Sequence, residues 1–351
     1  MHFIVVGPMY HHYSESVVRT LNQLGHTAVF FPEMPFYENC SYLQRKLYKF
    51  GYRTLKMKWE KDWQKRAIRF GQEHAGKYTV FLCLTGGMIT DGIMDTWEGF
   101  PIVLCMWDSI RRYDISFQKR LQRYTHVFAF EYEDMAYAEE RFSLNMKYLP
   151  LGYDETAYYP QERDRDIDVA FVGTPLQNRL DILERVAQYI STAGGDMCVA
   201  GRWYDDTYPW KKRLFRKKHP ALTKYLMNCN IPPTETAEIY RRSKIVLNIN
   251  NDVHRSISPR TFEILATKTF QLMNEGQKSY GTIDLERDLV LYKDGDDLLE
   301  KIDRYLKEPE QRNIIAAQGY ADVQKFSMRE LMRKMLRCIK ENATQHFLIN
   351  R

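Results

Sequence analysis

The chain has 351 residues, more than one hydrophobic core usually serves, so two domains are expected. Its 44% apolar content excludes a chain that cannot fold, and its net charge of +6 is gathered locally rather than spread. Six cysteines with no C-x-x-C pair and no Cys/His ligand spacing argue against zinc and read as reduced thiols.

In chain order, "FIVVG" (3–7) predicts the first strand. The run is too short for a membrane span and has no small-residue cleavage site after it, so a cytoplasmic protein is expected. His11 and His12 follow this strand directly. "TAVFF" (27–31) predicts a second strand. Residues 45–69, "RKLYKFGYRTLKMKWEKDWQKRAIR", set only Glu60 and Asp62 against a run of Lys and Arg with interleaved aromatics. Such a patch suits anionic lipid headgroups, an acidic glycan or nucleic acid, and equally a solvated helix face. "TVFLCL" (79–84), "PIVLCM" (101–106), "HVFAFE" (126–131) and "KYLPLG" (147–152) continue the strands, with Asp108 just beyond the fourth. Continuous apolar strands separated by helical segments predict a parallel sheet covered on both faces.

"YDETAYYPQERDRD" (153–166) is polar and contains Pro160, which predicts a linker between a 1–152 domain and a 167–326 domain. The alternation then restarts with "IDVAFVG" (167–173), a helix from about Gln177, "DMCVAG" (196–201), "KIVLNI" (244–249), "TFQLM" (269–273) and "DLVLY" (288–292). Between these lies the second basic stretch, "WKKRLFRKKHP" (210–220), which carries no acid. Ser327 with Glu330 predicts a capping box that opens a last helix within 327–351, with an apolar stripe through Leu331, Met335 and Ile339. The fold class expected is therefore α/β, with two Rossmann-like domains facing a cleft and a C-terminal helix packing back across them.

Several nucleotide and hydrolase signatures are absent. Gly7 is followed by "PMYHHYSES", not by the further glycines of a dinucleotide fingerprint, and there is no P-loop and no G-x-S-x-G elbow. The informative stretch is "SPRTFEILATKTFQL" (258–272). Ser258 suits an N-cap and Pro259 the first helical position. The free N–H groups of that helix would point beyond the carboxyl end of "KIVLNI", a seat for a diphosphate. Arg260 would add a charged contact there, and Glu263 a carboxylate for a ribose diol. The same spacing also makes a plain i, i+3 surface ion pair.

This stretch resembles the donor-binding helix of GT-B glycosyltransferases, in the spore-maturation-protein-like branch of the family-1 type. "DIDVAFVGTPLQNRLDIL" (166–183), "LPLGYDETAYYP" (149–160) and "DGDDLLEKIDRYLKEPEQRNIIAAQGYADV" (294–323) resemble other parts of the same family in the same order. The resemblance implies a two-domain fold and transfer of a sugar from a UDP- or GDP-sugar. The acceptor would be a hydroxyl of a glycan or lipid-linked molecule, in cell-envelope or surface-glycan synthesis. It implies that Arg179, after "FVG", serves the leaving diphosphate with Arg260, without a metal or other cofactor. Gly173 and Gly201 would let the backbone approach the donor, and Asn248 and His254 would touch its sugar or phosphate. His11, His12 or Asp108 would supply a general base from the other domain. The two basic stretches would meet an anionic membrane at its inner face. Two positions depart from the family pattern. Ala266-Thr267-Lys268-Thr269 stands where relatives carry a small turn, and Arg255 stands where retaining relatives carry a first glutamate, so inversion and retention both stay open. A protein or nucleic acid acceptor, and a scaffold that binds without turnover, are the alternatives.

Overall fold

A computed structural model describes residues 1–9, 12–251 and 253–349, apart from the side chains of residues 177 and 342–349. The chain divides into two compact units, Met1–Leu151 with the chain from Met328 onward, and Gly152–Ser327.

Unit 1 holds six parallel strands: β1 (His2–Gly7), β2 (Thr27–Pro32), β3 (Thr79–Leu84), β4 (Ile102–Met106), β5 (His126–Ala129) and β6 (Lys147–Tyr148), in the order β2-β1-β3-β4-β5-β6. Every residue of β3 and of β4 is buried, as expected of strands covered on both faces. Register is parallel throughout, with Ile4 beside Val29 on one side and Phe81 on the other. One core face gathers Ile4, Val6, Phe81, Cys83, Leu104 and Met106 against Trp63 and Trp97. Phe81 stacks on Trp97 at 4.1 Å between centroids. Emptying such a ring from the core costs about 3–5 kcal/mol. The six cysteines are free thiols, and burial pushes Cys105 up to about 12, where it is a small hydrophobe.

The helix Met328–Ile349 belongs to unit 1 although 176 residues of unit 2 separate it from Leu151. Its Met328, Leu331 and Met332 line a small cavity with Val17, Leu84 and Phe128. Cys105 Sγ lies 3.7 Å from Met335 Sδ, and Lys334 Nζ donates to the carbonyl of Tyr148 at 3.1 Å.

Unit 2 holds β7 (Ile167–Val172), β8 (Met197–Ala200), β9 (Leu226–Met227), β10 (Ser243–Asn248), β11 (Gln271–Asn274) and β12 (Val290–Tyr292), also all parallel, in the order β12-β11-β10-β7-β8-β9. The two-residue β9 is the one strand the sequence did not announce. Val169, Phe171, Val199, Ile245, Leu247 and Leu272 of the sheet pack on Leu183 and Ile190 of the helix Gln177–Ala193, and on Leu298 and Ile302 of the helix Gly295–Lys307. The latter starts on Asp294, whose carboxylate accepts from the N–H groups of Asp296 and Asp297.

The polar stretch after Gly152 is tied to unit 2. Tyr153 N donates to the Phe326 carbonyl at 3.2 Å, and Arg241 donates to the carbonyls of Ala157 and Tyr159 at 2.8 and 2.9 Å. No helix among the described residues is long and apolar enough to cross a membrane.

Candidate functional site

The order of unit 2 reverses between β7 and β10: the chain moves out from β7 to β8 and β9, then returns to β10 and out the other way. In open α/β sheets, ligands bind beyond the carboxyl ends of the strands at such a switch point. The loops after β7 and β10 flank it, and the helix Pro259–Ala266 starts beside it.

Phe171, near the end of β7, is the floor of this place. Arg179 and Arg260 both lie over its ring, 5.6 and 5.1 Å from the centroid, and Trp203 meets it edge-on at 5.9 Å. Arg179 is only 7% exposed. Its Nε donates to the Ile249 carbonyl at 2.9 Å and its Nη1 to the Thr174 carbonyl at 3.0 Å, so it ties the two loops together. Arg260 Nη1 donates to Asn248 Oδ1 at 3.3 Å. No carboxylate pairs with either arginine among the described residues. Burial and the Arg260 charge beside it hold Arg179 down, to about 10. Two adjacent cations without a counter-charge are unfavourable until an anion arrives.

Donors without partners surround the pair. Trp203 Nε1, the Tyr292 hydroxyl and Asn250 Nδ2 are buried with no hydrogen-bond partner among the described residues. Native proteins rarely leave such groups unmet unless a ligand or water completes them. Burial raises the Tyr292 phenol, while the charge of Arg179 pulls it the other way.

Neither Gly173 nor Gly201 has room for a side chain. A Cβ on Gly173 would lie 2.8 Å from Arg260 Nη2. Gly201 has φ 135°, and a Cβ there would lie 2.1 Å from the Gly173 carbonyl oxygen.

Three expectations change in detail. Ser258 stands at the N-cap, yet its hydroxyl does not cap: it donates to Asn250 Oδ1 at 2.9 Å, and no side chain caps the helix. Asn248, expected at the ligand, is fully buried, with Nδ2 donating to Thr261 Oγ1 at 2.8 Å and Oδ1 accepting from Arg260. It supports Arg260 instead. The guanidinium of Arg179 is largely engaged with loop carbonyls. Glu263 is half-buried; burial raises the phenols of Tyr158 and Tyr240, and the Glu263 charge adds to it. His254 is half-buried in the loop after β10.

In unit 1, His11 lies outside the described residues. His12 has φ 57°, and its Nδ1 is 2.8 Å from Glu15 Oε2. Asp108 accepts both from Ser109 N at 2.8 Å and from Arg112 Nη1, at 2.9 and 2.7 Å. The sequence reading missed Trp203, Asn250 and Tyr292 in unit 2, and Glu33 in unit 1. Only Trp203, two residues after Gly201, carried a positional hint. Among the described residues no group of three or more His, Cys, Asp or Glu could hold a metal ion.

Residues 179–337 match a family described as "Glycosyl transferase-like". A sucrose-phosphate synthase from Thermosynechococcus elongatus has a similar structure, with 12% identity, 98% of this chain and 100% of that one covered, and a TM-score of 0.67. A glycosyltransferase from Rickettsia africae ESF-5 matches at 12% identity over 97% and 98% of the two chains, with a TM-score of 0.66. HepE from Anabaena, in complex with UDP-glucose, matches at 10% identity over 97% and 100%, with a TM-score of 0.64. The fold is that of the GT-B glycosyltransferases. No curated protein matches the sequence.

Proposed function

We propose that this chain moves a sugar from a nucleoside diphosphate sugar to a hydroxyl acceptor, within the spore-maturation-protein-like branch. The observation that carries the reading is the Arg179–Arg260 pair over Phe171, uncompensated at a switch point and beside an uncapped helix start. In the reaction, the bond from the anomeric carbon to the diphosphate oxygen breaks, and its electron pair leaves on the diphosphate. The acceptor oxygen forms the new bond and loses its proton. Arg260, Arg179 and the helix N–H groups are preorganised for the charge that grows on the leaving group. We infer that these groups do so without a divalent ion, because they already supply two positive charges and a positive dipole end. Glu263 is our candidate ribose ligand. His12 is our candidate base: with Nδ1 donating to Glu15, its Nε2 is the free acceptor. HepE is held with UDP-glucose, which favours a uridine donor. A hexosyl group and a role in cell-envelope or surface-glycan synthesis complete the reading.

Residues 45–69 support a lipid-side acceptor. They carry ten Lys or Arg against two acids, an excess of eight in a chain whose net charge is +6. The helix Tyr42–Lys49 has no buried residue. Tyr42, Leu43, Tyr52 and Met57 are exposed, and Phe50 is 79% exposed. Exposed apolar rings among lysines are the pattern of a surface that settles into anionic headgroups. We read this face as a peripheral contact with the inner side of a membrane. Trp210 and Leu214, exposed on the basic helix Pro209–Lys218, are a second such contact.

The test is a thermal-shift series with UDP, GDP and their sugar conjugates on wild type and Arg260→Ala. A shift with one base, lost in the variant, is expected. No shift with any nucleotide would overturn the reading.

A further inference from the structure

Unit 1 has its own switch point. Its order reverses between β1 and β3, so the loops that follow these two strands flank a crevice of the kind that receives ligands. The loop after β3 is strained. Thr85 has φ 72° and Gly86 φ 66°, and Thr85 is β-branched, a residue type that seldom enters the left-handed region. The sheet ladder runs up to the strained residue, since Thr85 N still donates to the Cys105 carbonyl at 2.9 Å. A Cβ on Gly86 would meet Leu104 Cδ1 at 2.8 Å, while Gly87 is exposed.

Glu33 holds this loop from the next strand. It follows β2, its N–H donates to the Gly7 carbonyl at 2.7 Å, and its side chain is buried, with the residue 5% exposed. One carboxyl oxygen accepts from Thr85 Oγ1 at 2.9 Å and the other from Met88 N at 3.4 Å. The titratable groups around it are Glu38 from the helix Phe36–Asn39, Cys83 from β3 and Tyr124 from the turn before β5. Burial raises both Cys83 and Tyr124, so both are neutral, and no basic side chain acts on Glu33 among the described residues.

We infer that Glu33 is a positioning residue for the proposed transfer, a latch that keeps the strained Thr85–Met88 loop in the shape with which unit 1 receives the acceptor. This rests on the transferase reading for its consequence, and on the loop geometry for its existence. Burial raises the Glu33 carboxyl to about 7. A carboxyl whose value is higher with the loop closed than with the loop open favours the closed form when protonated. The latch therefore holds most firmly below about pH 4.5, loosens as pH rises toward about 7, and changes no further once Glu33 is charged in both forms.

Amide exchange across residues 82–93 of the full chain, followed from about pH 4.5 to about pH 8.5 and corrected for intrinsic rates, reads the latch directly. In wild type the loop should lose protection at least tenfold in a step that runs from about pH 4.5 to about pH 7 and levels off above it. Glu33→Gln, neutral throughout, should show no such step. Glu33→Ala should leave the loop open at every pH, and adding Thr85→Gly, which relieves the strain, should restore protection. A wild-type profile without a step, or the same step in Glu33→Gln, would overturn the latch even if Glu33→Ala does not fold. The acceptor role is read from kinetics: the KM for the acceptor should rise between about pH 4.5 and about pH 7 and level off above that, with the donor KM unchanged, and Glu33→Gln should flatten that rise while retaining kcat. An exchange step with a flat acceptor KM would overturn the positioning role, and absence of transfer under all conditions would strike the transferase reading while leaving the exchange result to judge the latch.

Discussion

Arg179 and Arg260 share the ring of Phe171, cation beside cation, with no carboxylate between them among the described residues. Arg260→Ala removes a charged contact worth about 1.5–3 kcal/mol, so nucleoside diphosphate affinity should fall roughly 10- to 150-fold by titration calorimetry. Arg260→Lys should recover little, because a point charge cannot reproduce the fork. Arg179→Ala should lower stability as well as affinity, by about 1–3 kcal/mol, since it strips the buried Ile249 carbonyl and the half-buried Thr174 carbonyl of their donor.

Glu33 gives stability a pH slope of defined sign. Its folded value is about 7 against an ordinary 4.5. The native state binds the extra proton between those values, so stability is full below about pH 4.5 and declines as pH rises to about 7. The decline is of order 3 kcal/mol, and Glu33→Gln should lack it in denaturant titrations at pH 5 and pH 8.

Gly201→Ala should destabilise unit 2 by about 3 kcal/mol or more, because φ 135° and a carbonyl oxygen 2.1 Å from the new methyl leave it no place. Melting curves of the variant would show it.

Lys268, where relatives carry a small turn, has φ 55° and is exposed. Lys268→Gly should stabilise the chain by about 1 kcal/mol, read as a higher Tm. Its carbonyl, which accepts from Arg165 at 3.0 Å, is retained in the variant.

The exposed face at residues 42–57 should bind vesicles containing phosphatidylserine and not vesicles of phosphatidylcholine alone, with binding falling as salt rises. Leu43→Ser with Phe50→Ser should lower sedimentation with the vesicles about tenfold. Equal binding to both vesicle types would remove the electrostatic part of the reading.

The sheets were legible because parallel strands buried on both sides read as unbroken apolar runs, and β1, β3, β7 and β10 lie within a residue or so of their sequence limits. β9 has only Leu226 and Met227 and leaves no such run. At the candidate site, Arg260, Gly173 and Gly201 were named from a helix start and strand ends, and Arg179 from the family resemblance. Ser258 and Asn248 were recognised as polar groups in the right place, but their partners, Asn250 and Thr261, come from the folding of the loop. Glu33 and Tyr292 had no local signal at all. A carboxyl after an apolar strand is unremarkable until Thr85, 52 residues on, turns toward it.

The return of Met328–Ile349 to unit 1 also sets an order of assembly. Unit 2 is one uninterrupted stretch, Gly152–Ser327, whereas unit 1 needs a helix that the ribosome delivers only after all of unit 2. Until it arrives, Val17, Leu84 and Phe128 lack Met328, Leu331 and Met332 as neighbours and stay open to water. The first half of the chain to be made is thus the second to be finished, waiting with an apolar groove uncovered while the later half closes around its own core.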